Sequence, residues 1–204
     1  FSVYSRVRSA SGLTGADAAR RILRMSGITD VTVVPISGSL TDHYDPRNKV
    51  LRLSDATYGQ CSVAAVGVAA HECGHAIQHA RGYAPLQFRS ALVPVANFGS
   101  MIAWPLIVLG LFINSQSSAL LINIGILAFS LAVLFQLVTL PVEYNASGRA
   151  VRILAETGMM QGEEIVATKK VLNAAALTYV ASAAAAILQL VRILILTGGR
   201  RRDD

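Results

Sequence analysis

From Ser90 to Val142 the chain has no Asp, Glu, Lys, Arg or His, a run of 53 consecutive positions. As a single straight helix the run would measure about 80 Å, far beyond a bilayer core of about 30 Å. One polar cluster, Asn114, Ser115, Gln116, Ser117 and Ser118, interrupts it. The pattern predicts two spanning helices, Val93 to Ile113 and Ala119 to Leu140, joined by a tight uncharged turn. A buried hairpin in a soluble protein would show the same run, so composition must decide. Apolar residues make up 53% of the chain and charged residues 15%, against about 25% charged in a soluble domain. Too little polar surface is left to cover a water-soluble fold. The lipid bilayer is the expected surrounding, and disorder and a disulfide-held scaffold are excluded.

A further uncharged run extends from Val171 to Val191, is broken by Arg192 and resumes over Ile193 to Leu196. Its many alanines suit close helix packing in lipid. Thr178, Ser182 and Gln189 share one helical face, which is expected to point into protein or a polar cavity. The chain opens on Phe1 with no charged-then-apolar leader, which leaves room for a preceding membrane segment. The expected class is a mainly α membrane protein with a small β-hairpin or sheet. The expected organisation over 1–204 is one domain: a polar front half at 1–92, a transmembrane hairpin at 93–140, a return segment at 141–170 and a third membrane helix at 171–196.

In the front half, Thr14 with Asp17 three residues later marks a helix start within Gly12 to Gly27, and Gly27 suits its C-terminal end. Ala18, Ala19, Ile22 and Leu23 form its apolar side, opposite Arg20, Arg21 and Arg24. The β-branched run Val31 to Ile36 reads as a strand. Asp45-Pro46 fits the first two positions of a type I turn, which makes Val50 to Leu53 the second strand of a hairpin. From about Ser62 to Ala80 the pattern is helical, and Gly82 stops it.

That helix contains His71-Glu72-Cys73-Gly74-His75. Four-residue spacing puts both imidazoles on one face, where they can reach one ion. Zinc suits them, because a catalytic zinc takes three protein ligands and leaves one position for water. Glu72 is placed to accept a proton from that water. Two histidines held in polar contacts inside a buried helix would be the inert reading of the same pattern. His79 lies about 12 Å along the axis from His71 and cannot share an ion with it at Zn–N distances of about 2.0–2.1 Å. His43 is the remaining histidine. Among carboxylates Glu143 stands out as the first charge after 53 uncharged residues, on a face shared with Ala146, Ser147 and Ala150. A glutamate that merely ends a membrane helix would look the same.

Cys61 and Cys73 are expected on one continuous helix, about 18 Å apart and therefore unbridged. Cys73 should point well away from the histidine pair. Strand Val50 to Leu53 could pair with an extended substrate. The net charge of +6 is spread along the chain with no basic stripe, so no nucleic-acid partner is expected.

His71-Glu72-x-x-His75 followed by Glu143-x-x-Ala146-Ser147-x-x-Ala150 resembles the gluzincin pattern of the HtpX and CAAX prenyl endopeptidase membrane proteases. A closer resemblance is to the bacterial YugP-like neutral zinc metallopeptidases, through Gly12 to Gly15, Leu40 to Pro46, Ala69 to His79, Leu140 to Glu143 and Ala174 to Val180. The resemblance implies a zincin-like active-site helix, one Zn2+ per chain held by His71, His75 and Glu143, and Glu72 as general base. It also implies hydrolysis of a peptide or membrane-protein substrate in a multi-pass bacterial cell membrane. Ser147 stands where the HtpX type has aspartate, so support of the ligands is expected from the Ser147 hydroxyl or from Asn145. His43, Tyr179 and Arg149 are the candidates for stabilising charge on the substrate oxygen. The other reading is a catalytically silent zinc-binding membrane protein that acts as a partner-binding module. An ion carrier would need ionisable groups within its spans, which Ser90 to Val142 lacks. Arg149, Arg152, Lys169 and Lys170 favour a cytoplasmic active site by the positive-inside rule, while Arg200 to Arg202 after a third span argue the opposite way.

Overall fold

A computed structural model describes residues 1–113 and 117–198. The order is α1 (Gly15–Met25), β1 (Thr32–Ile36), β2 (His43–Asp45), β3 (Val50–Ser54), α2 (Val63–Ala80), α3 (Ala84–Phe112), α4 (Ser118–Glu156) and α5 (Glu163–Gly198). The class is the expected one: mainly helical, with one small sheet and three helices long and apolar enough to cross a membrane. Two compact units divide the chain, one of residues 1–83 and 142–177, the other of 84–141 and 178–204.

In the first unit, Thr14 caps α1 by accepting from the Asp17 N–H at 3.1 Å. Ala18, Ala19 and Ile22 are fully buried on its inner side, and Gly27 leaves the helix at φ 74°. The sheet order is β1-β3-β2, with β1 parallel and β2 antiparallel to β3. Asp45 closes the β2–β3 turn, since its Oδ1 accepts from the N–H groups of Arg47 and Asn48 at 3.0 and 3.2 Å. The parallel partner makes β3 the central strand. Its hydrogen-bonding edges are taken by β1 and β2, so a substrate cannot add to Val50–Ser54 as the sequence suggested.

Helix α2 crosses the core of this unit, and its burial explains why it is apolar nearly all round. Ser62 caps it by accepting from the Ala65 N–H at 3.2 Å. Cys61 therefore lies before α2 and not on one helix with Cys73, because the chain there is extended and the Cys61 carbonyl accepts from Ser9 N–H at 2.8 Å. Both thiols are free. At the other end Gly82, at φ 61°, donates to His79 O and Tyr83 donates to Gln78 O, a Schellman closure that fixes Tyr83.

In the second unit α3 and the 118–141 part of α4 form an apolar helical pair. A Cβ on Gly125 would sit 2.9 Å from Ala103 O, so the backbones approach as closely as glycine permits. Ser90, Ser100, Ser130 and Thr139 each donate to the carbonyl four residues earlier, which satisfies their hydroxyls within apolar helices.

Both apolar segments outrun the charge-free stretch. Helix α3 begins at Ala84, nine residues before Val93, and α4 continues unbroken past Leu140 to Glu156. The charge gap marks where ions are absent, not where helices end. Arg89, on α3, lies over the Phe135 ring at 5.9 Å. The first three residues of the expected turn, Asn114, Ser115 and Gln116, and the cations Arg200 to Arg202 lie outside the described residues. On α5, Thr178 and Ser182 are exposed and Gln189 is half-buried, contrary to the inward face expected for them. Ser182 Oγ donates to Thr178 O at 2.9 Å, so its hydroxyl needs no partner from another helix.

Candidate metal centre

The site lies within the first unit, where α2 meets the 142–156 part of α4. Helical spacing stacks His71 and His75 one turn apart, with ring centroids 4.8 Å from each other and planes at 87°. Glu143, 3% exposed, brings Oε2 to 3.2 Å from His71 Nε2 and 3.5 Å from His75 Nε2. One ligand atom from each of the three residues lies within 4.8 Å of the others. Zn–N bonds of about 2.0–2.1 Å set tetrahedral ligand separations of about 3.3 Å. The two nitrogen–oxygen separations bracket that value, and two imidazoles with one carboxylate are donors that zinc accepts. The donor set therefore fits a zinc ion.

Close helix approach makes this convergence possible. A Cβ on Gly74 would lie 2.5 Å from Ala146 O, and Ala146 is fully buried. Gly74→Ala should therefore force α2 and α4 apart at the site. Overpacking of this kind costs about 1–3 kcal/mol, so the variant should melt earlier and bind zinc more weakly than wild type, as thermal unfolding and metal titration would read.

Each histidine is held through its other nitrogen. His71 Nδ1 lies 3.1 Å from Ser147 Oγ, and His75 Nδ1 lies 3.1 Å from Gln78 Oε1. Burial opposes charge on His75, yet the hydrogen bond to Glu143 and the charges of Glu72 and Glu143 outweigh it and raise its pKa above the ordinary imidazole value. Glu72 is 8% exposed, and among the described residues its carboxylate has no hydrogen-bond or ion-pair partner. Cys73, inside the motif, turns away: its Sγ lies 3.6 Å from Ala19 O, and burial pushes the thiol pKa well up.

The remaining residues singled out from sequence are dispersed. Asn145 Oδ1 accepts from Gln78 Nε2 at 3.0 Å and from Arg149 Nε at 2.7 Å. Arg149 also lies over the Tyr83 ring at 5.8 Å, and so reaches the histidines through Asn145 and Gln78. His43, on β2, places Nδ1 2.8 Å from Thr41 O and Nε2 3.5 Å from Arg52. His79 pairs with the Tyr44 hydroxyl at 2.8 Å, and burial chiefly pushes that phenol up to about 12. Tyr179 lies on α5 in the second unit.

A family model described as "putative neutral zinc metallopeptidase" matches residues 1–198. The chain belongs to this family. It is 48% identical over 201 residues to a Bacillus subtilis (strain 168) protein named "Putative membrane protease YugP", an alignment that covers 98% of this chain and 88% of the relative. No solved structure matches it. The match to this zinc metallopeptidase family takes in all eight elements, including both helices that supply the converging side chains.

Gln78 is the member of the site that sequence reasoning missed. It is fully buried, and beyond His75 its amide reaches Asn145 and the Val142 carbonyl. Its sequence signals were its position three residues past His75, on the histidine face of α2, and its place within the Ala69 to His79 stretch of the resemblance.

Proposed function

We propose that the chain is a membrane-embedded zinc endopeptidase in which His71, His75 and Glu143 hold one zinc ion and Glu72 is the general base. The observation that carries the reading is the meeting of two imidazole Nε2 atoms at one oxygen of Glu143, a residue 72 positions from His71. Zinc held there supplies Lewis acidity, which polarises a peptide carbonyl and makes water acidic enough to react near neutral pH. His71 and His75 present neutral Nε2 lone pairs, and the Glu143 carboxylate supplies one negative charge. Glu72 Oε accepts the proton released by the attacking water and returns it to the amine of the leaving peptide. Among the described residues it has no hydrogen-bond or ion-pair partner, which leaves that carboxylate free to do so.

An extended substrate can add as a strand at β1 or β2, the two edges of the sheet. Pro35 removes a donor from β1. Edge β2 packs on α2 through Tyr44 and His79, which favours it as the docking strand. The membrane setting follows from α3, α4 and α5 together with the name of the Bacillus relative. The basic residues Arg149, Arg152, Lys169 and Lys170 favour a cytoplasmic active site.

The test is metal removal and return. Protein purified in detergent should cleave a casein or membrane-peptide substrate, lose that activity on dialysis against a chelator, and regain it with stoichiometric zinc. Cleavage that persists once zinc has been stripped would contradict the proposal.

A further inference from the structure

We infer that Gln78 is a positioning residue that fixes the tautomer of His75, and that Arg149 sets the direction of the hydrogen-bond chain through which it acts. The inference rests on the metal reading of the site given above.

At the arginine end of this hydrogen-bond chain the donor and acceptor roles are unambiguous. Arginine has only donors, so the Asn145 atom 2.7 Å from Arg149 Nε is the carbonyl oxygen Oδ1. The same oxygen lies 3.0 Å from the Gln78 amide, whose facing atom must then be the NH2 group. A second acceptor gives the same answer independently: that NH2 group lies 2.9 Å from Val142 O, and a backbone carbonyl can only accept. Both amide hydrogens are thereby used. Reversing the amide would set its oxygen against two other oxygens in a side chain with no exposed surface.

The group that faces His75 is consequently Oε1, 3.1 Å from Nδ1. An oxygen without hydrogen can only accept, and Glu143 Oε2 is a competing acceptor at Nε2. At 3.1 Å against 3.5 Å the Gln78 contact is the better hydrogen bond, so the single proton of the neutral ring goes to Nδ1 and the lone pair sits on Nε2. That is the nitrogen 3.5 Å from Glu143 Oε2. Without Gln78 the acceptor that remains is Glu143, so the neutral ring would carry its proton on Nε2 and be unable to bind a metal there. His71 has no such constraint from its own partner, because the Ser147 hydroxyl can donate or accept. Gln78 also ties α2 to the carbonyl immediately before Glu143, so one amide aligns two of the three proposed ligands. The Schellman closure at Gly82 places Tyr83 beneath Arg149, which completes the support.

The test uses the full chain in detergent. NMR of 15N-labelled histidines in metal-free wild type, at alkaline pH where imidazole is neutral, should show His75 with its proton on Nδ1, the signal being assigned by its loss in His75→Ala. In Gln78→Met, which keeps the side-chain length but has no amide, the Nε2–H form should appear. Zinc affinity of that variant, measured by competition with a chelator, should fall about 10- to 100-fold, the usual cost of losing a partner of a metal-bound histidine. A wild-type His75 that carries its proton on Nε2 overturns the inference, and so does a folded Gln78→Met with unchanged zinc affinity. If Gln78→Met does not fold, the wild-type spectrum alone decides. If wild type binds no zinc, the metal reading fails, and the tautomer of His75 still tests Gln78 separately.

Discussion

Glu72→Gln should lower kcat by about 10²- to 10⁴-fold, the usual contribution of a general base, while the protein keeps its zinc. The amide has nearly the same shape as the carboxylate but cannot take a proton from water. Among the described residues the Glu72 carboxylate forms no ion pair or hydrogen bond, so the substitution breaks no contact on which the fold depends. It also removes one of the charges that raise the His75 pKa, which lessens proton competition at that ligand and favours metal retention. Parallel metal analysis and peptide hydrolysis check the expectation. Loss of zinc together with activity would show that Glu72 serves the metal rather than the proton.

Glu143→Ala should give the opposite signature, in which zinc is lost and activity disappears with it. Its Oε2 is the atom that both histidines face, at 3.2 and 3.5 Å. Loss of a ligand should exceed the roughly 10- to 100-fold penalty for losing a partner of one. The helix itself should persist, since Val142, Ala146, Ala150 and Leu154 remain buried on the same stretch of α4. Zinc retained at wild-type affinity would remove Glu143 from the ligand set.

These two residues also show what the sequence could disclose. Glu72 and the histidines on either side of it lie within five positions of one helix, so periodicity alone places them. The Thr14 cap, the turn at Asp45-Pro46 and the α1 face were equally local, and the structure has each of them. Nonlocal features were harder. That β1 pairs parallel with β3, and so closes the edge once assigned to substrate, depends on which strands meet in space. The extent of α4 was hidden because a glutamate after a long apolar run looks like a helix end. Here Glu143 is buried against two imidazoles and the helix runs on for thirteen more residues, to Glu156. The inward face expected for Ser182 assumed that a hydroxyl in an apolar helix must find a neighbour on another element, whereas a carbonyl of its own helix serves. Gln78 escaped notice because the groups that give its amide meaning, Val142 O and Asn145 Oδ1, lie 64 and 67 residues away.

X-ray absorption at the zinc edge of the purified protein addresses the ligand set most directly. The account predicts one zinc per chain, with only nitrogen and oxygen neighbours at about 2.0–2.2 Å and the multiple-scattering signature of two imidazoles. A neighbour at the zinc–sulfur distance of about 2.3 Å would contradict it, because that would put Cys73, now turned toward Ala19, on the metal.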